Sequence, residues 1–197
     1  KTVCTLEAST DNGATWTEIW NAKDVVGQLT SGVLNSASSS IGTANVSVAV
    51  PEAMLADGVL FSFHYTFPKY ATTGTIVFID NIQLLAEKTS AGDSKLILEQ
   101  DFNDCEVGST LPDGWTRKNK NSSDTWKISK LGDTLAASCS ADTDSEGDYW
   151  SGDEYGAGQD EFLISPALNL AGKTATMTFE FSGQKNSLSK TVVSNKT

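Results

Sequence analysis

The chain has 197 residues and a net charge of −11, from 25 acidic and 14 basic residues, which excludes several classes of function. Such a charge repels nucleic acid and anionic lipid, and no apolar run reaches the length of a membrane span. A hydrophobic content of 39%, with eight Phe and five Trp, is enough to fill a core, which predicts a folded rather than a disordered chain. The sequence starts with neither an initiator Met nor a signal peptide, which we interpret as a processed or trimmed N-terminus.

Strand signals dominate the first part of the chain. Segments rich in β-branched and aromatic residues, bounded by Gly, Pro or Ser, predict strands at 2–8, 44–50, 59–67 and 75–85. In the third strand, aromatic residues alternate with Ser62, His64 and Thr66, which predicts a sheet with one apolar and one solvated face. Pro51 opens a segment that can form a single helical turn.

A hairpin motif lies between the first two of these strands. Residues 9–16 read STDNGATW and match S-x-D-x-G-x-x-W, the Asp-box turn best known from sialidases. We expect Asp11 to accept hydrogen bonds from turn amides, Gly13 to adopt a positive φ, and Trp16 to pack beneath the loop. A sialidase holds its substrate's carboxylate with three arginines, and this chain has only Arg117. We therefore interpret the motif as a structural turn.

The polar segment 88–94 predicts a linker, and strand signals resume after it. They lie at 95–102, 125–128, 161–164 and 174–181. Helical periodicity is weak throughout, and neither part of the chain has enough strands to cover a core alone. The predicted fold class is all-β, a jelly-roll β-sandwich.

An acidic loop in the second part has the spacing of a calcium-binding loop. Residues 142–153 read DTDSEGDYWSGD, and carboxylates stand at positions 1, 3, 5, 7 and 12, with Gly at position 6 as in an EF-hand loop. The candidate metal ligands are Asp142, Asp144, Glu146, Asp148 and Asp153. Flanking helices are missing, and the twelfth residue is Asp where a bidentate Glu is usual, so a solvated acidic loop is the alternative.

The same loop is rich in aromatic residues. Tyr149, Trp150 and Tyr155 stand among carboxylates. Aromatic faces stack on the apolar faces of sugar rings while carboxylates accept hydrogen bonds from hydroxyls, so these three residues are candidate ligand-binding residues. Alternatively, Trp150 and Tyr155 cap one end of the core.

Several motifs together give the chain a family resemblance. LEQDFND at 98–104, LPDGW at 111–115 and DEFLISPALNL at 160–170 follow the linker, whereas the Asp-box hairpin and IDNIQL at 79–84 precede it. These segments resemble cleaved-adhesin or choice-of-anchor J domains, relatives of MAM domains with a galactose-binding-like sandwich. Such modules occur on secreted proteins of Gram-negative anaerobes. The resemblance implies a jelly roll and a secreted or cell-surface bacterial location.

The two halves of the module stand in inverted order. Residues 1–87 resemble the C-terminal half and residues 95–197 the N-terminal half, with 88–94 between them. Either the chain is cut across two neighbouring modules, or one module is circularly permuted. Half a sandwich exposes an apolar face and an open edge. We therefore predict that the halves complete one sandwich, in cis or by exchange in a domain-swapped homodimer.

The resemblance also implies calcium where a module's first strand meets its last. The matching residues are Glu99, Asp101 and Asp104, with Asp80 in the closing strand. A cation there would be structural and would stiffen the edge of the sandwich. Alternatively, Asp80 and Asp101 are strand-end residues that hydrogen-bond to loop amides.

Catalysis has little support in the sequence. His64 is the only histidine, and no G-x-S-x-G elbow accompanies it, which is typical of a structural strand histidine. We predict no enzyme but an adhesin-like module, stabilised by calcium, that binds carbohydrate or a host surface protein. Two alternatives stay open: a structural spacer domain of a larger surface protein, and a glycoside hydrolase fragment with an unrecognised carboxylate pair.

Overall fold

The computed structural model describes residues 2–31, 41–67, 76–88, 92–119, 125–140 and 159–184. Strands predominate in these ranges, and the helical elements are three short 3-10 turns at Ala22–Asp24, Val26–Gln28 and Glu52–Met54. The last of these turns follows Pro51, as predicted. The strands are β1 (Val3–Ser9), β2 (Thr17–Asn21), β3 (Thr30–Ser31), β4 (Ile41–Ala49), β5 (Leu60–Phe67), β6 (Val77–Lys88), β7 (Ser94–Gln100), β8 (Thr116–Lys118), β9 (Lys127–Leu131), β10 (Thr134–Cys139), β11 (Gln159–Ile164) and β12 (Lys173–Gln184).

The strands form two antiparallel sheets. The five-stranded sheet has the order β2-β1-β5-β11-β8. The seven-stranded sheet has the order β3-β4-β12-β6-β10-β9, and its seventh strand, β7, also pairs with β6. β10 pairs with the first residues of β6 and β7 with the later ones. From β4 onward the chain repeatedly crosses between the two sheets, as it does in jelly rolls. The predicted all-β jelly-roll sandwich is confirmed.

Strands from both sides of the 88–94 segment share each sheet. In the five-stranded sheet β5 pairs with β11, and in the seven-stranded sheet β12 lies between β4 and β6. β6 extends to Lys88 and β7 begins at Ser94, so both ends of the predicted linker belong to strands. The resemblance of residues 1–87 and 95–197 to halves of a module, and exchange between two chains, stay predictions.

The core between the sheets is built around aromatic contacts. Trp20 of β2 packs edge-on against Phe179 and Phe181 of β12, with ring centroids 5.0 and 5.4 Å apart. Phe63 of β5 meets Phe179 at 4.9 Å in the same T-shaped geometry, which aromatic pairs favour. These contacts join the five-stranded sheet to β12 of the seven-stranded sheet.

Two further tryptophans anchor the second part of the chain. Trp126 is fully buried and Trp115 is 7% exposed, so both belong to the core. The Trp126 indole Nε1 donates to the Glu161 carbonyl at 3.0 Å. Arg117 donates to the carbonyls of Trp126 and Ser109, so the only arginine of the chain holds loops together.

The β5 strand follows the predicted alternation. Its aromatic residues Phe61, Phe63, Tyr65 and Phe67 are buried and face the core. Because side chains alternate along a strand, His64 faces the other way, onto the outer surface of the five-stranded sheet. This placement starts the candidate site.

Candidate functional site

His64 is held between two carboxylates on the strands that flank β5. Its Nδ1 is 2.8 Å from Glu7 Oε1 on β1, and its Nε2 is 2.5 Å from Asp160 Oδ1 on β11. The side chains are 16%, 11% and 24% exposed for His64, Glu7 and Asp160, so all three are reachable from solvent but largely covered. The histidine is therefore satisfied on both ring nitrogens.

This geometry requires a protonated imidazole. A neutral imidazole has one N–H donor, whereas two carboxylate acceptors need a donor on each nitrogen. Burial alone would lower the pKa of His64, but the hydrogen bonds to Asp160 and Glu7 outweigh it and raise the pKa to about 9. His64 is consequently an imidazolium at neutral pH, with one positive charge between two negative ones.

Aromatic rings lie beside this charged group. The His64 ring stacks on Phe162 of β11, with centroids 3.9 Å apart and planes 14° from parallel. The Trp16 ring contacts the Phe162 ring, with centroids 5.9 Å apart and planes tilted by 34°. Lys118 Nζ on β8 lies 5.8 Å from the Phe162 centroid. We call Glu7, His64, Asp160, Phe162 and Trp16 the His64 cluster.

The register of the five-stranded sheet brings the cluster together. Thr5, His64, Phe162 and Lys118 are successive partners across β1, β5, β11 and β8, so their side chains share one face. Glu7 lies two residues along β1 from Thr5, which brings its carboxylate diagonally to His64. Sheet geometry alone thus places one histidine among groups from three other strands.

β11 departs from the usual apolar-in, polar-out pattern at Glu161 and Phe162. Glu161 is fully buried on the core side, while Phe162 is half-buried on the outer face next to Asp160. A local departure from the binary pattern is expected where function requires it. An outward aromatic ring beside a charged pair is such a departure.

The Asp-box turn supplies Trp16. Asp11 Oδ1 accepts from the Thr15 amide at 2.9 Å, and Oδ2 accepts from the Thr15 hydroxyl at 2.6 Å. These bonds lower the pKa of Asp11 to about 2, and the bond from the Thr15 hydroxyl has the larger effect. Gly13 has a φ of 80°. The predicted roles of Asp11 and Gly13 are confirmed.

The prediction for Trp16 is only partly right. The ring packs against the turn, because a Cβ added at Gly13 would lie 3.3 Å from Trp16 Cζ2. The residue is nevertheless half-exposed, and it reaches Phe162 two strands away, so the indole spans the width of β5. Because Phe162 faces outward, the contact between the two rings places Trp16 on the outer face of the sheet.

Asp80, assigned to calcium from the family resemblance, is a buried carboxylate on the seven-stranded sheet. It is 3% exposed, lies opposite Glu180 of β12 and accepts from the Asn81 amide at 2.8 Å. Burial above all, and the charges of Glu180 and Asp101, raise the pKa of Asp80 to about 6. Asp80 therefore lies close to two other negatively charged side chains, those of Glu180 and Asp101.

Two other residues assigned to this calcium site, Glu99 and Asp101, accept local hydrogen bonds. Exposed Glu99 accepts from Gln83 Nε2 at 3.0 Å, and Asp101 accepts from the Asn103 amide at 3.1 Å. Across the described ranges, no group of three or more His, Cys, Asp or Glu side chains is arranged to hold a metal ion. Calcium at Asp80, Glu99 and Asp101 stays a prediction.

The acidic and aromatic loop lies outside the described residues, in the range 141–158. Calcium binding and ligand binding there stay predictions. The residues concerned are Asp142, Asp144, Glu146, Asp148, Asp153, Tyr149, Trp150 and Tyr155.

Sequence reasoning missed most of the His64 cluster. It treated His64 as a structural group, and it did not single out Glu7, Phe162 or Lys118. The available signal was the alternation in residues 159–164, QDEFLI, where either Asp160 and Phe162 or Glu161 and Leu163 must face outward. Only the pairing of β11 with β5 shows which pair does.

Comparisons with known proteins give one distant structural likeness. Neither the family models nor the curated proteins give a match. Among solved structures, a mutant of Xylanase10C from Cellvibrio japonicus in complex with xylopentaose is 13% identical with a TM-score of 0.22, and the match covers 91% of this chain and 27% of that one. A likeness this distant carries no argument about function. In the described residues, no helix is long and apolar enough to cross a membrane.

Proposed function

We propose that the chain is a non-catalytic, adhesin-like module on a secreted or cell-surface bacterial protein, and that it binds carbohydrate at the His64 cluster. The observation that carries the proposal is the outward placement of Trp16 and Phe162 beside the carboxylates of Glu7 and Asp160. Aromatic surface packs on the C–H face of a sugar ring, and carboxylates accept hydrogen bonds from its hydroxyls.

Binding fits the cluster better than catalysis does. A general base needs a nitrogen lone pair, and both nitrogens of His64 face carboxylates. A general acid needs a protonated carboxyl, whereas Glu7 Oε1 and Asp160 Oδ1 both accept hydrogen bonds from the His64 imidazolium. The same contacts that disable proton transfer hold the acceptor groups in fixed positions.

A structural calcium ion forms a second part of the proposal. Asp80 is buried against Glu180 and Asp101, and a cation beside it would compensate these charges. Asp80 and Asp101 would contribute carboxylate oxygens. The ion would stabilise the seven-stranded sheet, on the opposite side of the sandwich from the His64 cluster.

The binding proposal is tested on a panel of immobilised polysaccharides with the whole chain. Trp16→Ala and Phe162→Ala should each lower affinity about tenfold, which corresponds to a loss of about 1.4 kcal/mol of stacking. Leu96→Ala, which removes a 41% exposed side chain from the seven-stranded sheet, is the matched control and should bind like wild type. Binding of a host surface protein with no affinity for any glycan, or no binding at all, would contradict the proposal.

A further inference from the structure

The groups that the His64 face offers to a ligand are mainly acceptors. Glu7 Oε1 is used twice, since it accepts from His64 and from Thr5 Oγ1 at 3.0 Å. Within the described part of the chain, Glu7 Oε2 accepts no hydrogen bond from protein. An open carboxylate oxygen of this kind needs an O–H or N–H donor.

An anionic ligand is disfavoured at this face. Exposed Glu18 of β2 lies directly opposite Glu7, and its Oε2 accepts from Asn21 Nδ2 at 3.3 Å. Glu7 and Asp160 are paired with His64, but Glu18 forms no ion pair in the described residues, so a carboxylate or sulfate brought to the cluster would meet an unneutralised carboxylate. The chain as a whole carries a net charge of −11, which adds to the repulsion.

A cationic ligand is disfavoured at the Phe162 ring. Cations bind to the face of an aromatic ring, but Phe162 already has the His64 imidazolium stacked on it and Lys118 Nζ at 5.8 Å. An ammonium group placed beside Phe162 would therefore approach two positive charges. The carboxylates of Glu7 and Asp160, which could otherwise attract it, are already paired with His64.

We infer that the ligand of the His64 cluster is an uncharged sugar, and that His64 is the positioning residue that sets this preference. The inference rests on the proposed function. A neutral pyranose is not repelled by the charged side chains of the cluster. One of its hydroxyls donates a hydrogen bond to Glu7 Oε2, and its C–H face packs on Trp16. His64 does not bind the sugar itself; it fixes the two carboxylates and cancels one of their charges.

The test compares three oligosaccharides of equal length with the whole wild-type chain by isothermal titration calorimetry. They are a neutral hexose oligomer, a uronic acid oligomer and a glucosamine oligomer, all titrated at about pH 6 or below, where the glucosamine amines are mainly protonated. The neutral oligomer should bind at least about tenfold more tightly than either charged one. Equal affinity for the neutral oligomer and a charged one overturns the inference without any variant being made.

His64→Gln then assigns the preference to the imidazolium. The amide keeps a hydrogen-bonding group but leaves Glu7 and Asp160 without a counter-charge, so the glucosamine oligomer should gain about tenfold over the neutral one. An unchanged preference in a folded His64→Gln protein overturns the role of His64. In the wild type, neutral-oligomer affinity should be constant from pH 6 to 8 and fall as the pH passes about 9, where His64 loses its proton.

The pH profile also involves the charged groups that face His64 from neighbouring strands in the described part of the chain. These are Glu7 from β1, Glu18 from β2, Lys118 from β8 and Asp160 from β11. His64 is the group whose titration falls in this range, because its pKa is raised to about 9. If no oligosaccharide binds, or if Trp16→Ala binds as wild type does, the proposed function fails; if binding depends on Trp16 but shows no charge preference, only this inference fails.

Discussion

Nε2 of His64 and Oδ1 of Asp160 lie 2.5 Å apart across the β5–β11 ladder, although 96 residues separate them in the chain. With the Glu7 contact on the other nitrogen, this bond raises the pKa of His64 to about 9, against an ordinary value of 6.5. The pair of bonds therefore couples the protonation of one histidine to the stability of the whole five-stranded sheet.

The first prediction concerns stability and pH. Because the folded pKa of His64 is higher than the unfolded one, the folded state holds its proton more tightly. The stabilisation is fully present below about pH 6.5 and is lost as the pH rises through about 9. The loss corresponds to roughly 3 kcal/mol in the free energy of unfolding. Urea denaturation at pH 6 and pH 9.5 measures it, and His64→Gln should remove this part of the pH dependence.

The second prediction concerns the pKa of His64 itself. Asp160→Asn removes one carboxylate while keeping a hydrogen-bond acceptor, so the pKa of His64 should fall by about one unit or more. NMR titration of the single imidazole follows it directly. Asp57→Asn, which changes an exposed carboxylate elsewhere on the surface, is the matched control and should leave the pKa in place. Equal effects of both variants would show that general charge, not the contact, raises the pKa.

The third prediction concerns the Asp-box turn. Gly13→Ala places a Cβ at a φ of 80° and 3.3 Å from Trp16, so it should lower the free energy of unfolding by roughly 1–2 kcal/mol. It should also change Trp16 fluorescence. Gly27→Ala is the control, since Gly27 has ordinary backbone angles and nothing within 4 Å of its added Cβ. If the two variants melt alike, the turn does not constrain Trp16.

The fourth prediction concerns the shared core. Phe63 and Phe179 come from opposite sides of the 88–94 segment and meet at 4.9 Å. Phe63→Ala and Phe179→Ala should each cost roughly 3–5 kcal/mol and shift one cooperative unfolding transition. Differential scanning calorimetry distinguishes this from two separate transitions, of which each variant would move only one.

The fifth prediction concerns Asp80. Its raised pKa means that ionised Asp80 destabilises the folded state as the pH rises from about 4 to about 6. Asp80→Asn should therefore raise the melting temperature at pH 7 in the absence of calcium, since the amide oxygen can still accept from Asn81. Added calcium should raise the melting temperature of wild type but not of Asp80→Asn. A calcium response that survives the substitution would place the ion elsewhere.

The sequence predicts the layers of this fold better than it predicts the site. Alternation within residues 59–67 shows which side of β5 is apolar, and the Asp-box pattern predicts the roles of Asp11 and Gly13, because both are local properties. β8 has only three residues, Thr116–Lys118, and acquires its strand geometry from pairing with β11. Such a strand has too little pattern of its own to be detected.

The His64 cluster needed information that no local pattern contains. Its partners lie 57 and 96 residues away in the chain, on strands whose order in the sheet is not encoded by alternation. The pattern of β11 is misleading, because Glu161 faces the core and Phe162 faces outward. Here the register set by neighbouring strands determines which residues are displayed.

The interleaving of strands has a consequence for how the protein is made. While the ribosome synthesises the chain, β5 and its four core-facing aromatic residues emerge about one hundred residues before β11 and β12 can cover them. Strand pairings between residues this distant in sequence form slowly, and partly folded intermediates with exposed apolar surface are prone to aggregate before the pairings form. Until β11 and β12 have been synthesised, the aromatic side of β5 is therefore open to non-native contacts.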